Sequence, residues 1–239
     1  MVINIDHTFN VVATIFNIVA WGGILFWANR VYKKQIIKPK IWKMLIVIIV
    51  GIFSFSITFN IFQSTIRISI LPLGVWILFF FLKRREESWQ KYRSFAWIGF
   101  WANFIFLAAT LITLPIHYLI YPNDKLSTYI SNVEEAAIVT IHPSGNGKPF
   151  VKDDLLNQLE TMEKQKINSI QWYQDTVLNS DTNERNERFP YQLVGIFPKW
   201  GSGLHSIIYI EEDGKGILVS TPKEQLYFRS EMSLLEGVE

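Results

Sequence analysis

The sequence predicts a membrane α-helical protein, a four-span bundle, followed by a C-terminal α+β domain with a mostly antiparallel sheet. Of its 239 residues, 49% are hydrophobic and 18% are charged, whereas about a quarter are charged in ordinary soluble domains. Residues 1–121 carry 12 basic and 3 acidic side chains, and residues 122–239 carry 11 basic and 18 acidic ones. This division excludes a single soluble domain. It also excludes nucleic acid as a partner of the acidic half, because phosphate binding needs clustered Lys and Arg.

Four apolar stretches without Asp, Glu, Lys or Arg predict the spans, since a helix needs about 20 apolar residues to cross the hydrocarbon core. The third stretch is short, and we expect it to begin at Ile66, with the side chain of Arg67 extended toward the lipid headgroups. The stretches are Phe9–Asn29, Met44–Phe62, Ile68–Leu82 and Phe95–Tyr121.

The loops between the spans predict the topology. Arg30–Lys43 contains six basic residues and Lys83–Arg93 contains five, whereas the link Gln63–Arg67 contains one. Because strongly basic loops remain in the cytoplasm, two crossings must separate them. We therefore predict a multi-pass protein of the cell membrane, with the bilayer as a partner and with both the N- and the C-terminus outside.

Polar residues recur at intervals of seven within the first and fourth spans, so each set forms one stripe along a helix. One interpretation is hydrogen bonding between helices. The other is a small polar cavity in which His117 titrates. The candidate intramembrane cluster consists of Asn10, Asn17, Asn60, Asn103, Thr110 and His117. Separately, Gly22-Gly23 and Gly51 predict close contacts between helices.

Residues 122–239 show the patterns of one small α+β domain. The first half predicts three elements, and Ile167–Tyr173 is either a further strand or a continuation of the second helix. These elements are a short surface helix over Leu126–Val133, a strand over Ala136–His142 and an amphipathic helix over Asp153–Lys166.

The last third predicts a sheet. Tyr191–Phe197 and His205–Glu211 are apolar on both faces, as central strands are. Asp213-Gly214 predicts a hairpin turn leading to Gly216–Ser220. Gln225–Ser230 predicts an edge strand, although Thr221–Glu224 could also begin a helix.

No sequence pattern in the chain specifies a catalytic residue, a cofactor site or a metal site. Cysteine is absent, which excludes thiolate catalysis and Cys-ligated metals. The run His142–Lys148 lacks the first Gly and the final Ser or Thr of a phosphate-binding loop, so it predicts a turn. The three acids Glu211, Glu212 and Asp213 are expected to solvate the tip of a hairpin. We expect no cofactor.

The segment 197–205 is the strongest candidate for partner binding. Trp200 lies in a Gly-rich connection between two central strands, and exposed loop aromatics are common at binding surfaces. Lys199, Trp200 and His205 are the candidate residues. The alternative is that Trp200 packs on the core or lies at the membrane surface.

Three functions fit the sequence. The first is non-enzymatic: the outward-facing domain binds an envelope protein or peptide, as a sensing, immunity or accessory protein does. The second is a small-solute permease or transporter subunit that uses the polar face of spans 1 and 4. The third is an envelope hydrolase built on His142 or His205. The Ile-, Lys- and Asn-rich composition is typical of low-GC bacteria.

Overall fold

The computed structural model describes residues 9–61, 64–84, 86–145, 147–168, 170, 173–174 and 187–236. The chain divides into two compact units. The helical unit is Val12–Ile116, and the C-terminal unit combines Met1–Val11 with His117–Glu239. Residues 9–11 and 117–121, which lie within the predicted first and fourth spans, are thus grouped with the C-terminal residues.

Two helices are long and apolar enough to cross a membrane. Helix α1 is Val11–Lys34, with 24 residues, and α4 is Glu86–Ile120, with 35. At 1.5 Å per residue they measure about 36 and 52 Å. Only 22% and 33% of their most apolar windows is buried within the chain, so most of this apolar surface has no cover from the protein. They qualify as candidate spans by length and composition.

The second and third predicted spans do not form continuous helices, so this part of the prediction is wrong. The segment instead forms two short helices with a β-hairpin between them. Helices of 12 and 10 residues measure about 18 and 15 Å, less than the roughly 30 Å of a hydrocarbon core. The elements are α2 (Ile41–Ile52), β1 (Phe55–Ile61), β2 (Ser64–Leu71) and α3 (Leu73–Leu82).

The hairpin forms because polar and apolar residues alternate along both strands, which is the period of a strand and not of a helix. Ser56 pairs with Ser69 and Thr58 with Arg67, which places polar residues together on one face. The pairs Ile57–Ile68 and Phe59–Ile66 occupy the other face. High average hydropathy conceals this alternation and makes the segment resemble a span.

Glycines allow the backbones of the helical unit to approach closely. A Cβ atom at Gly51 would meet the carbonyl oxygen of Ala96, and one at Gly99 would lie 2.8 Å from the Cα of Gly51. A Cβ at Gly74 of α3 would meet the carbonyl groups of Val50 and Phe53. The expectation for Gly51 is confirmed. It is wrong for Gly22 and Gly23, where a Cβ would meet nothing within 4 Å.

The C-terminal unit contains a six-stranded antiparallel sheet in the order β3-β5-β6-β7-β8-β4. The predicted antiparallel sheet is thus confirmed, as is the turn at Gly214, whose φ is +69°. The strands are β3 (Ala137–Thr140), β4 (Glu163–Gln165), β5 (Tyr191–Val194), β6 (Ile207–Ile210), β7 (Gly216–Ser220) and β8 (Gln225–Arg229).

Two predicted elements of this unit are corrected. Helix α5 covers Lys152–Gln158 only, because the backbone N–H of Thr161 turns back to the carbonyl of Gln158 and the chain then enters β4. Since β4 pairs with β8, the latter is not the edge strand we expected. The choice between strand and helix over 167–179 falls largely outside the described residues.

Two further turns replace predicted helix. A 3₁₀ turn at Leu126–Thr128 stands in place of the predicted surface helix. Thr221–Glu224 forms a turn in which the Thr221 hydroxyl bonds both backbone groups of Glu224, so no helix begins there. The core of the unit packs the sheet against α5 and the segment after the 3₁₀ turn, with Leu155, Tyr129 and Phe228 essentially inaccessible.

The glycine contact between α2 and α4 gives a direct test. We expect Gly99→Ala to destabilise the protein by at least 1–3 kcal/mol, roughly the cost of overpacking, because the added methyl group meets backbone that cannot rotate away. Gly22→Ala is the control. It should be neutral or stabilising by up to about 1 kcal/mol through helix propensity. Thermal unfolding of the full chain in detergent measures both, and equal effects would contradict the tight crossing.

Candidate functional site

The β5–β6 connection is hydrogen-bonded to residues at the start of α1 and at the end of α4. The hydroxyl of Tyr121 donates to the carbonyl of Trp200 at 2.9 Å, and Nε2 of His117 bonds the carbonyl of Ser202 at 2.8 Å. The backbone N–H of Val11 donates to the carbonyl of Gly201 at 3.0 Å. Because a carbonyl only accepts, Nε2 of His117 carries the proton. We call this connection, residues 197–205, the Trp200 loop.

Two glycines allow the loop to approach these residues closely. Gly201 and Gly203 have φ of +77° and +65°, a left-handed conformation that other residues adopt at a cost. A Cβ at Gly201 would lie 2.5 Å from Cγ2 of Val11 and 2.9 Å from the hydroxyl of Tyr121, and one at Gly203 would lie 2.9 Å from Cβ of Asn10. The backbone of the loop is therefore fixed in position.

The candidate binding residues differ in their surroundings. Trp200 has 76% of its surface exposed, although its backbone is held on both sides. The ammonium group of Lys199 lies 5.9 Å from the ring centroid of Tyr121, as in a cation–π contact. His205 is exposed farther along the connection and takes no part in the hydrogen bonds that hold the loop.

The residues of the predicted intramembrane cluster do not lie together in the structure. Asn10 forms a β-bridge with Ser202, so it meets the same residue as His117 in the C-terminal unit. Asn103 and Thr110 line a cavity in the helical unit instead. Asn17 is exposed on α1. The backbone of Asn60 pairs with Thr65, but its side chain lies outside the described part of the chain.

The cavity of the helical unit has a volume of about 610 Å³, within the usual range for small-molecule sites. It lies between the polar face of the hairpin and one side of α4. Six of its lining residues are apolar and seven are polar. The polar ones are Ser54, Ser56, Thr65, Arg67, Ser69, Asn103 and Thr110.

The polar lining is organised by hydrogen bonds. Ser54 donates to the hydroxyl of Ser69 at 2.8 Å, and the hydroxyl of Ser56 lies 3.3 Å from each of them. The side-chain amide of Asn103 donates to the carbonyl of Ile52 at 3.0 Å, a carbonyl that the end of α2 leaves without a helical partner. Asn103 and Thr110 of the predicted stripe on α4 thus line a cavity together with the hairpin, whereas we had expected the stripe to face the first span.

A buried charged cluster lies beside the β6–β7 turn, and sequence reasoning missed it. Glu211, expected to be solvated, is only 6% exposed. One carboxylate oxygen bonds Arg188 at 2.7 Å, and the other bonds Arg229 at 2.6 Å and the hydroxyl of Tyr227. Burial, followed by the hydrogen bond to Glu211, raises the pKa of Tyr227, so this phenol stays a neutral donor. Both oxygens are engaged within the protein, which indicates a structural role.

The other histidine considered for hydrolysis has a local role. Nδ1 of His142 bonds the hydroxyl of Ser144 at 2.8 Å, and that hydroxyl accepts the backbone N–H of Glu187 at 3.1 Å. This arrangement orders the turn predicted at 143–148, in which residue 146 lies outside the described residues. Within the described ranges, no three His, Asp or Glu side chains converge as a metal site would require.

No family model, curated protein or solved structure matches the chain.

The Trp200 loop yields a prediction with a matched control. Gly201→Ala should destabilise the protein and speed trypsin cleavage after Lys199, because the new methyl group displaces Val11 and Tyr121. Gly147→Ala also places a side chain at positive φ, but a Cβ there meets nothing within 4 Å. It should therefore cost only the backbone strain of about 1–2 kcal/mol and leave cleavage after Lys199 unchanged. Equal cleavage rates in the two variants would show that the contacts with Val11 and Tyr121 do not hold the loop in place.

Proposed function

We propose that the chain is a non-enzymatic, multi-pass membrane protein whose C-terminal domain lies outside the cell and binds an envelope protein or peptide at the membrane surface. The binding surface is the Trp200 loop. Sensing, immunity and accessory roles all depend on such a binding event.

The exposure of the Trp200 side chain is the main observation that supports this proposal. A side chain of this size that is 76% exposed gains most from a partner when its backbone is already fixed, because little conformational freedom is then lost on binding. Trp is also among the residues that most often dominate binding energy at interfaces. The loop is bonded to Val11, the first residue of α1, and to Tyr121, which directly follows α4, and this supports a partner that binds at the membrane surface.

Photocrosslinking tests the binding surface. With benzoylphenylalanine in place of Trp200, we expect a discrete adduct with one envelope protein. Excess unmodified wild-type protein should compete for the partner and reduce formation of the adduct, whereas excess Trp200→Ala protein should not. The control position is Met232, which is 63% exposed and should give no adduct. Adducts with lipid alone would mean that Trp200 anchors the loop in the bilayer, and the proposed partner would then be rejected.

Cysteine labelling tests the topology, and the absence of native cysteine makes it clean. Lys223→Cys, in the exposed β7–β8 turn, should react with a membrane-impermeant maleimide in intact cells. Lys38→Cys, in the basic segment between α1 and α2, should react only after permeabilisation. Reaction of both or neither in intact cells would contradict the assignment of the two regions to opposite sides.

A second candidate function is binding or transport of a small solute by the helical unit. The cavity of about 610 Å³ with seven polar lining residues favours it. It would use α4 and the hairpin, so the prediction that spans 1 and 4 share the polar face would hold for α4 only. Solute uptake by vesicles containing the protein, compared with Asn103→Leu protein, tests this candidate.

A further inference from the structure

We propose that the cavity of the helical unit binds an oxyanion, a phosphate or phosphate ester, through the guanidinium group of Arg67. This inference rests on the binding form of the second candidate function, because it names the ligand class of the same cavity, and it requires no transport. It also concerns a different unit from the Trp200 loop.

Charge is the first argument. Arg67 lines the cavity, and no acidic residue does. Across residues 12–116 of the sequence, the only acids are Glu86 and Glu87, at the start of α4. In the described part of the chain, Arg67 forms no ion pair with a carboxylate. Arg67 is also exposed, so its guanidinium group can pair with an anion that enters the cavity.

The second argument is the chemistry of the wall beside Arg67. The hydroxyls of Ser54, Ser56 and Ser69 lie within 3.3 Å of one another, and Ser69 is 7% exposed. Hydroxyl hydrogens rotate to suit an acceptor. A guanidinium fork with hydroxyl donors next to it matches a tetrahedral oxyanion, which accepts several hydrogen bonds at once.

Access distinguishes two sources of the same chemistry. Arg67 precedes α3 and Lys83 directly follows it. The two residues are separated by the ten residues of this helix and a short length of strand. These measure at most about 30 Å together, comparable to the thickness of a hydrocarbon core. With Lys83 at one membrane surface, Arg67 can reach the headgroup level of the other. The oxyanion is then either a lipid headgroup phosphate or a free phosphate.

The test measures thermal stability of the full chain with phosphate as the probe. In an uncharged maltoside detergent, inorganic phosphate should raise the Tm saturably relative to chloride at equal ionic strength, because a ligand stabilises the state that binds it. The chloride comparison removes general screening. Arg67→Gln should weaken the apparent phosphate affinity at least tenfold. Arg93→Gln removes an exposed cation at the α3–α4 end of the unit and should leave the affinity unchanged.

A second arm separates the sources. In nanodiscs of phosphatidylglycerol, the Tm should exceed that in nanodiscs of a phosphate-free galactolipid, and Arg67→Gln should abolish the difference. A response only in this arm assigns the site to lipid headgroups, and a response to inorganic phosphate assigns it to free oxyanions. Should Arg67→Gln fail to fold, Arg67→Lys keeps the charge without the fork and should bind more weakly than wild type. The proposal is overturned if wild type responds in neither arm, or if the Arg67 variants respond as wild type does.

Discussion

The close contact of α2 with α4 fixes the arrangement of the helical unit. Neither α2 nor α3 is long enough to cross a hydrocarbon core, so their positions depend on what they pack against. Gly51 and Gly99 let two backbones touch, and this contact brings the end of α2 within reach of the side-chain amide of Asn103. The hairpin begins directly after that end, and its polar face closes the cavity against α4. Larger residues at the two glycines would separate the cavity walls.

The C-terminal unit uses an irregular connection between regular strands for its most specific contacts. Strands β5 and β6 are adjacent and antiparallel, yet the chain between Val194 and Ile207 is far longer than the two to five residues that close most hairpins. Its middle lies against Asn10 and Tyr121, and its ends are held by the sheet. Long ordered connections of this kind often carry function, whereas the Glu211 cluster at the opposite turn of β6 stabilises the sheet.

Sequence patterns predicted the features that depend on local periodicity or on composition. The two long helices, the β6–β7 turn at Gly214 and most of the strands followed from hydropathy and turn chemistry. The two strands β1 and β2 were not predicted because the segment has the length and mean hydropathy of a span. These averages conceal the alternation of Ser56, Thr58 and Asn60 with Phe and Ile. The burial of Glu211 was beyond prediction, since its partners Arg188 and Arg229 lie 23 and 18 residues away. The sequence identified Asn103 and Thr110 as polar residues of α4, but it did not predict that they line a cavity with the hairpin.

The bridge between Asn10 and Ser202 has a consequence for biosynthesis. Its two residues lie about 190 positions apart, and such non-local contacts form late. Asn10 is synthesised before Ser202, and the ribosome must add all of the residues between them before Ser202 emerges. The start of α1 therefore lacks this partner while that whole stretch of chain is synthesised. Until residue 202 has emerged and the loop has formed, this end of the helix has only the insertion machinery or the surrounding lipid to contact in its place.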